Sequence, residues 1–503
     1  MTSRLLLLLA LCPSLLLAAD PQEADFYKIT SFETPKETAL EVGSIDLMPG
    51  GKLALGTRRG EIWIVSGAGG GNPSSMTYKL FASGLHEVLG IAYNPKDQCL
   101  YATTRYEITR IKDTDGDGRA DVFDNVNDSW GVSGDYHEYA IGSNFDKAGD
   151  LWVTLCLTGS FNSDVLFRGW ALRIKPDGTM VPTCSGIRSP GGVGFDADGE
   201  VYYCDNQGPW HGSCTLQHLI PGTFQGHPAG NVWYDKAPNM GPRPIDPIPE
   251  AFQGERKRGE ARPGGDPGRM VTERGRIKQL VPPAVYLVHG KIGNSATAII
   301  CDLSGGKFGP FSKQLFVADQ SHSNISRVVL ETVNGVKQGA VIPFRSGFLS
   351  GLVGGRMDAE GRIYTGGSDR GWGARGGRPY CFERLEWTGK TPFEVHEMRA
   401  RNDGFELTFT QPVDAATAGD VRSYTMREFT YAYREQYGGE EVDEVIPKIT
   451  AAKVAADGRS VRLTISPLTK GHVHELHLDG VRSAEKLPLL HPVGYYTLNE
   501  IPQ

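Results

Sequence analysis

Little in this 503-residue sequence equips it for nucleic acid or for a bilayer. The formal net charge is only −7, so the chain lacks the basic surplus that a phosphate backbone attracts, and no nucleic-acid partner is expected. Beyond the N-terminus no segment approaches the ~20 apolar residues of a membrane-spanning helix. No Cys-x-x-Cys-His segment occurs, which excludes covalently attached haem of that type. Cysteine is sparse. Apart from Cys12 there remain Cys99, Cys156, Cys184, Cys204, Cys214, Cys301 and Cys381, an odd set that leaves at least one thiol unpaired. Cys204 and Cys214 flank a Gln-Gly-Pro corner and could tie its loop or stay free.

What is present points to β-structure. Gly (64) and Pro (31) are abundant and aromatics make up 9%, the mark of a chain rich in turns and strands. Residues 1–4 carry one positive charge, 5–17 are largely apolar, and Ala18-Ala19 precede Asp20. That order predicts a secretory leader over 1–19 and an exported chain, periplasmic or extracellular.

The sequence repeats itself. A turn with Gly, Asp or Pro leads into an alternating apolar strand at DLMPGGKLALGT (46–57), AYNPKDQCLYATT (92–104) and NFDKAGDLWVTL (144–155). It returns at GFDADGEVYYCD (194–205), FGPFSKQLFVAD (308–319) and RMDAEGRIYTGG (356–367). Starts fall roughly 45–52 residues apart, save one longer gap, and that period fits four-stranded propeller blades. Six copies predict an all-β fold with a six-bladed β-propeller over 20–390. The long gap contains 241–280, rich in Pro, Gly and charge, which reads as an excursion between blades; its Arg256-Lys257-Arg258 reads as a solvated loop or an anion contact. After Trp387 the period is lost. Short strands such as RSVRLTI (459–465) and VHELHL (473–478) predict an immunoglobulin- or fibronectin-like β-sandwich over 391–503. His472 and His474 share a strand face there, either as surface histidines or as two of a metal's ligands.

Residues 113–124 read DTDGDGRADVFD. Asp113, Asp115 and Asp117 alternate, Gly118 permits a sharp turn, Arg119 offers its carbonyl, and Asp121 and Asp124 complete the loop. Hard cations such as Ca²⁺ take six to eight oxygens, and this spacing gathers them; the alternative is a plain Asx turn. A shorter Asp124 stands where a bidentate Glu is usual.

The stretch 186–210, GIRSPGGVGFDADGEVYYCDNQGPW, carries an arginine, a glycine-rich approach and the QGP corner on one hairpin. With HEYAIGSNFDKAGDLWVTL (137–155) and FSKQLFVADQSHSNISRVVL (311–330), it resembles the soluble glucose dehydrogenase and sorbosone dehydrogenase family of six-bladed propellers. The resemblance implies pyrroloquinoline quinone and Ca²⁺ as cofactors. It implies His137 as the base that takes a sugar hydroxyl proton and Arg188 as a pocket arginine. The carbonyls of Gly208 and Pro209 would hold the cofactor's calcium, with Gln207 beside the quinone. Exported bacterial propellers of this kind, often fused to haem c modules, share the pattern DNQGPWHGSCTLQHLIPGTFQGHP (205–228), which implies Trp210, His211, His218 and His227 around the pocket. The chain departs from the family in ADQSHSNISR (318–327), which lacks the carboxylate-binding lysine, and in 344–354, where a single Arg345 stands for an Arg-x-Arg. Ser189 replaces an asparagine. Three function classes follow: a quinone-dependent sugar or polyol dehydrogenase, served by a separate cytochrome; a propeller that binds small or oligomeric carbohydrate, or protein, without redox chemistry; and a calcium-dependent hydrolase or lyase.

Overall fold

The computed structural model describes residues 20–247 and 268–503. The expected leader over 1–19 and the cluster Arg256-Lys257-Arg258 lie outside the described residues. No helix among the described residues is long and apolar enough to cross a membrane.

The repeated turn has a physical basis that three copies share. Asp146 Oδ1 accepts from the amides of Ala148 and Asp150 at 2.8 and 2.9 Å, while its other oxygen accepts from the Trp152 indole at 2.9 Å. Asp196 does the same for Asp198, Glu200 and the Tyr202 hydroxyl. Asp358 serves Glu360, Arg362 and Tyr364. One carboxylate thus closes the turn and anchors the aromatic of the next strand. The glycine between them takes the left-handed backbone that closure requires, with φ of 90° at Gly149, 87° at Gly199 and 73° at Gly361.

Each of the six copies lies at the first turn of a separate antiparallel sheet. The innermost strands are Val42–Met48, Gly90–Asn94, Ala140–Phe145, Pro190–Phe195, Ala296–Cys301 and Gly354–Met357. Each packs against the next, and the last against the first, so the sheets stand as blades in a closed, propeller-like ring. These strands run close. A Cβ on Gly191 would meet the Ala296 carbonyl oxygen at 2.0 Å. The sixth sheet takes its outermost strand from the other end of the chain: Tyr27–Ser31 pairs antiparallel with Tyr380–Trp387.

The excursion expected between blades begins and ends inside one. The fourth sheet takes Cys214–His218 as its third strand and Val285–Leu287 as its fourth, so 241–280 falls between strands of a single sheet. On the way the chain lays Thr223–Phe224 parallel to Met180–Ser185 as a fifth strand of the third sheet.

Beyond the ring, Val395–Arg401, Gly404–Phe409, Ser460–Ser466 and Lys448–Val454 form one layer. Thr425–Tyr431, Glu441–Val445, His472–His477 and Val493–Leu498 form another, and Phe405, Leu407, Leu463 and Tyr496 fill a core between them. The second layer continues the ring: Val493–Leu498 pairs with Val336–Arg345, so the fifth sheet grows to eight strands. His472 and His474 are buried, not on the surface. His474 lies 3.0 Å from Glu428 beneath the Phe405 ring, because their strand faces the inner layer. All seven described cysteines are free; Cys204 faces Leu216 in register rather than Cys214.

Candidate ligand site at the mouth of the ring

At one end of the ring axis a cavity of about 260 Å³ opens among His137, Arg188, Ser189, Gln207 and Arg58. A second cavity of about 390 Å³ lies between the inner strands, and both touch Leu89, Ile141, Gly191 and Val353, so they meet along the axis. His137 and Arg188 come together because each precedes the innermost strand of its blade, Ala140–Phe145 and Pro190–Phe195, and the third and fourth blades are neighbours.

His137 is buried, with its ring braced at both nitrogens. Nδ1 lies 3.2 Å from the Leu157 carbonyl oxygen and Nε2 lies 3.1 Å from Ser189 Oγ. A carbonyl only accepts, so Nδ1 carries the proton and Nε2 presents a lone pair that takes the serine's hydrogen. Burial, helped by the charge of Arg188, pushes the imidazole down to about 4 and keeps it neutral. The lone pair is held by Ser189.

Asp205 sets the arginine and serine in place. Its two oxygens accept from the backbone amides of Arg188 at 2.9 Å and Ser189 at 2.7 Å. The Arg188 guanidinium then donates to the carbonyls of Gln207 at 2.7 Å and Ser160 at 3.3 Å, and lies 5.0 Å from the centroid of the Tyr437 ring. The corner needs glycine for this reason: a Cβ on Gly208 would stand 2.1 Å from Arg188 Nε.

The C-terminal unit closes over the same corner. The amides of Gly438, Gly439 and Trp210 donate to the carbonyls of Gly208, Gly212 and Arg434. Tyr437 thereby reaches the cavity. Tyr136, Phe161, Trp372 and Tyr437 are each more than half exposed, and all four line this one cavity as an aromatic collar. Sequence reading missed them. The visible signal was an aromatic among glycines and charges, as in RGWGARGG and REQYGGE, where no strand face exists for it to fill.

Other expected site residues fall elsewhere. Arg345 is held by Glu23 at 3.2 Å and the Tyr27 carbonyl at 2.9 Å at the end of the strand Val336–Arg345. It fastens the first strand rather than facing the cavity. Trp210 and His211 face Tyr431 and Tyr433 of the C-terminal unit, since a left-handed φ of 62° at Trp210 turns the chain outward. His218 stacks on Tyr202 and bonds Glu200 at 2.6 Å, and His227 caps the 3-10 helix Pro228–Lys236. Pro209 is buried in the corner.

In the loop after Ile108–Lys112, Asp113, Asp115 and Asp117 place carboxylate oxygens within 4.8 Å of one another. Asp121 and Asp124 of the expected ligand set have protein partners of their own. Asp121 accepts from the Thr114 amide and hydroxyl, and Asp124 pairs with Arg110 at 2.6 Å. Among the described residues the Arg119 amide is tied to Asp117.

A family model described as a domain of unknown function, DUF7133, matches residues 75–251, which include His137, Arg188 and the QGP corner. No curated protein matches the chain. The structure is similar to a PQQ-bound aldose sugar dehydrogenase from Streptomyces coelicolor, at 16% identity over 73% of this chain and 100% of that one, with a TM-score of 0.47. It is similar to the holo pyranose dehydrogenase PQQ domain from Coprinopsis cinerea, at 12% identity over 72% and 95%, with a TM-score of 0.47. A calcium structure of the Trichoderma reesei carbohydrate-active enzyme family AA12 aligns at 12% identity over 73% and 97%, with a TM-score of 0.49.

Proposed function

We propose that this is an exported six-bladed propeller, extended by a β-sandwich, whose mouth cavity binds carbohydrate. The collar carries the reading. Four exposed aromatic rings converge on a cavity walled by serine hydroxyls, amides and guanidinium groups. Such rings cover the C–H faces of sugars, while the polar wall takes their hydroxyls.

The quinone implied by the resemblance does not fit these residues. Arg345 is remote, Gly438 and His211 donate to the Gly208 carbonyl that would hold its calcium, and a neighbouring chain segment covers the corner. A second reading, in which a bound sugar gives its hydride to a free quinone that enters the mouth beside it and the electrons then pass to a separate cytochrome, is favoured by one observation: His137 lines the same cavity as Arg188. His137 would then take the hydroxyl proton. Separately, the three clustered aspartates support Ca²⁺ binding in a structural role.

Two assays on the purified chain test this. Saccharide titration followed by tryptophan fluorescence reads binding; dye reduction with pyrroloquinoline quinone, Ca²⁺ and a sugar panel reads oxidation. Binding without dye reduction supports the carbohydrate-binding reading. Dye reduction lost in His137→Ala supports the second. No binding and no turnover with any sugar overturn both.

A further inference from the structure

The charges at the mouth are one-sided. Arg58 and Arg188 line the cavity, and no aspartate or glutamate does. Arg58, Arg105 and Arg370 share the single carboxylate of Glu87, and Arg370 shares Glu41 with Arg59. Four guanidinium groups therefore divide two carboxylates.

Arg188 is more extreme. It is 3% exposed, and among the described residues no carboxylate approaches it within salt-bridge distance. Its side-chain partners are backbone carbonyls and the Tyr437 ring, while Asp205 spends its oxygens on backbone amides. A buried cation without a counter-ion is expensive, and a ligand that supplies the opposite charge recovers that cost on binding. Carboxylate and sulfate both match the guanidinium fork.

Size decides how much of the ligand enters. The cavity, about 260 Å³, is below the roughly 300–1,000 Å³ of pockets for drug-sized ligands and has room for a single sugar ring. Phe161 and Tyr437 line its rim, more than half exposed, with centroids 6.5 Å apart. They offer a surface for the next ring.

We propose that the cavity takes the end of an anionic oligosaccharide, with a carboxylate or sulfate on Arg188 and the following ring against Phe161 and Tyr437. This rests on the carbohydrate reading and adds two commitments: the ligand is charged, and the C-terminal unit supplies part of its binding surface through Tyr437.

Calorimetric titration of the full chain with tetragalacturonate, a carrageenan tetrasaccharide, cellotetraose and monomeric galacturonate tests both. At least one charged tetramer should bind tenfold or more tighter than cellotetraose, and that advantage should shrink as salt is raised. Preference for tetragalacturonate names a carboxylate and preference for the carrageenan fragment a sulfate; either supports the assignment. Tyr437→Ala should weaken the charged tetramer about tenfold, and by a larger factor than it weakens galacturonate. Arg188→Gln should erase the preference for charge, and the salt dependence of the unaltered protein gives the same information should that variant fail to fold. Cellotetraose binding as tightly as both charged tetramers overturns the charge assignment while leaving the carbohydrate reading intact. An unaltered tetramer affinity in Tyr437→Ala overturns the role of the C-terminal unit. Failure of every saccharide overturns the carbohydrate reading as well.

Discussion

His137 Nε2 and Ser189 Oγ meet at 3.1 Å, both buried in the wall of the mouth cavity. A serine hydroxyl both donates and accepts, so this contact alone does not fix the charge of the ring; burial does. Burial already pushes His137 down to about 4, against ~6.5 in an unfolded chain. The unfolded state therefore binds the proton first. Stability contributed by the neutral ring is complete above about pH 6.5 and is lost as pH falls towards 4, about 3 kcal/mol in order of magnitude. Denaturant midpoints across this window should fall more steeply for the native chain than for His137→Gln. Equal slopes would remove His137 from the acid response.

A second titration has the opposite sign. Burial alone would lower His491, yet its contacts with Glu394 at 2.5 Å and Glu23 at 3.0 Å raise it to about 9. Its contribution is present in full below ~6.5 and is lost as pH rises through 9, again roughly 3 kcal/mol. His491→Gln should lower the melting temperature at pH 6 and have a much smaller effect near pH 10. The thermal shift at both pH values checks the sign.

Calcium at the aspartate loop has a thermal signature too. Binding to the folded state alone stabilises by about 2.7 kcal/mol at a hundredfold excess over Kd. Millimolar Ca²⁺ should raise the melting temperature of chelator-treated protein, and Asp117→Ala should abolish the rise. An identical response in that variant would place the cation elsewhere.

The shared eight-stranded sheet leads to a calorimetric expectation. Because Gly339, Ala340 and Val341 pair with Thr497, Tyr496 and Tyr495, the ring and the C-terminal unit should melt in one transition. Truncation after residue 390 should expose that strand edge and give aggregated protein, read by light scattering. Two well-separated transitions would show independent units.

The blades were legible because their signal is local: a turn followed by an alternating apolar strand reports one strand pair, three of the turns being closed by an Asp, a Gly and an aromatic, and six such reports make six sheets. His137 and Arg188 could be brought together for the same reason, each lying just before an innermost strand. The rest depended on partners far along the chain. Asp124 looked like a ligand until Arg110 stood opposite it in the ladder, and Arg345 looked like a cofactor contact until Glu23 reached it from the first turn of the chain. Tyr437 belongs to the cavity through pairings between strands more than a hundred residues apart, which no short pattern records.

The pairing of Tyr27–Ser31 with Tyr380–Trp387 sets an order for biosynthesis. Tyr27–Ser31 has no sheet to join until some 350 residues later, and the fifth sheet waits longer still for Val493–Leu498. Loop closure over such spans is entropically costly and slow compared with hairpin formation. Until Val493–Leu498 docks, an emerging chain carries an open edge on the fifth sheet and a cavity without the anchored wall that Tyr437 supplies.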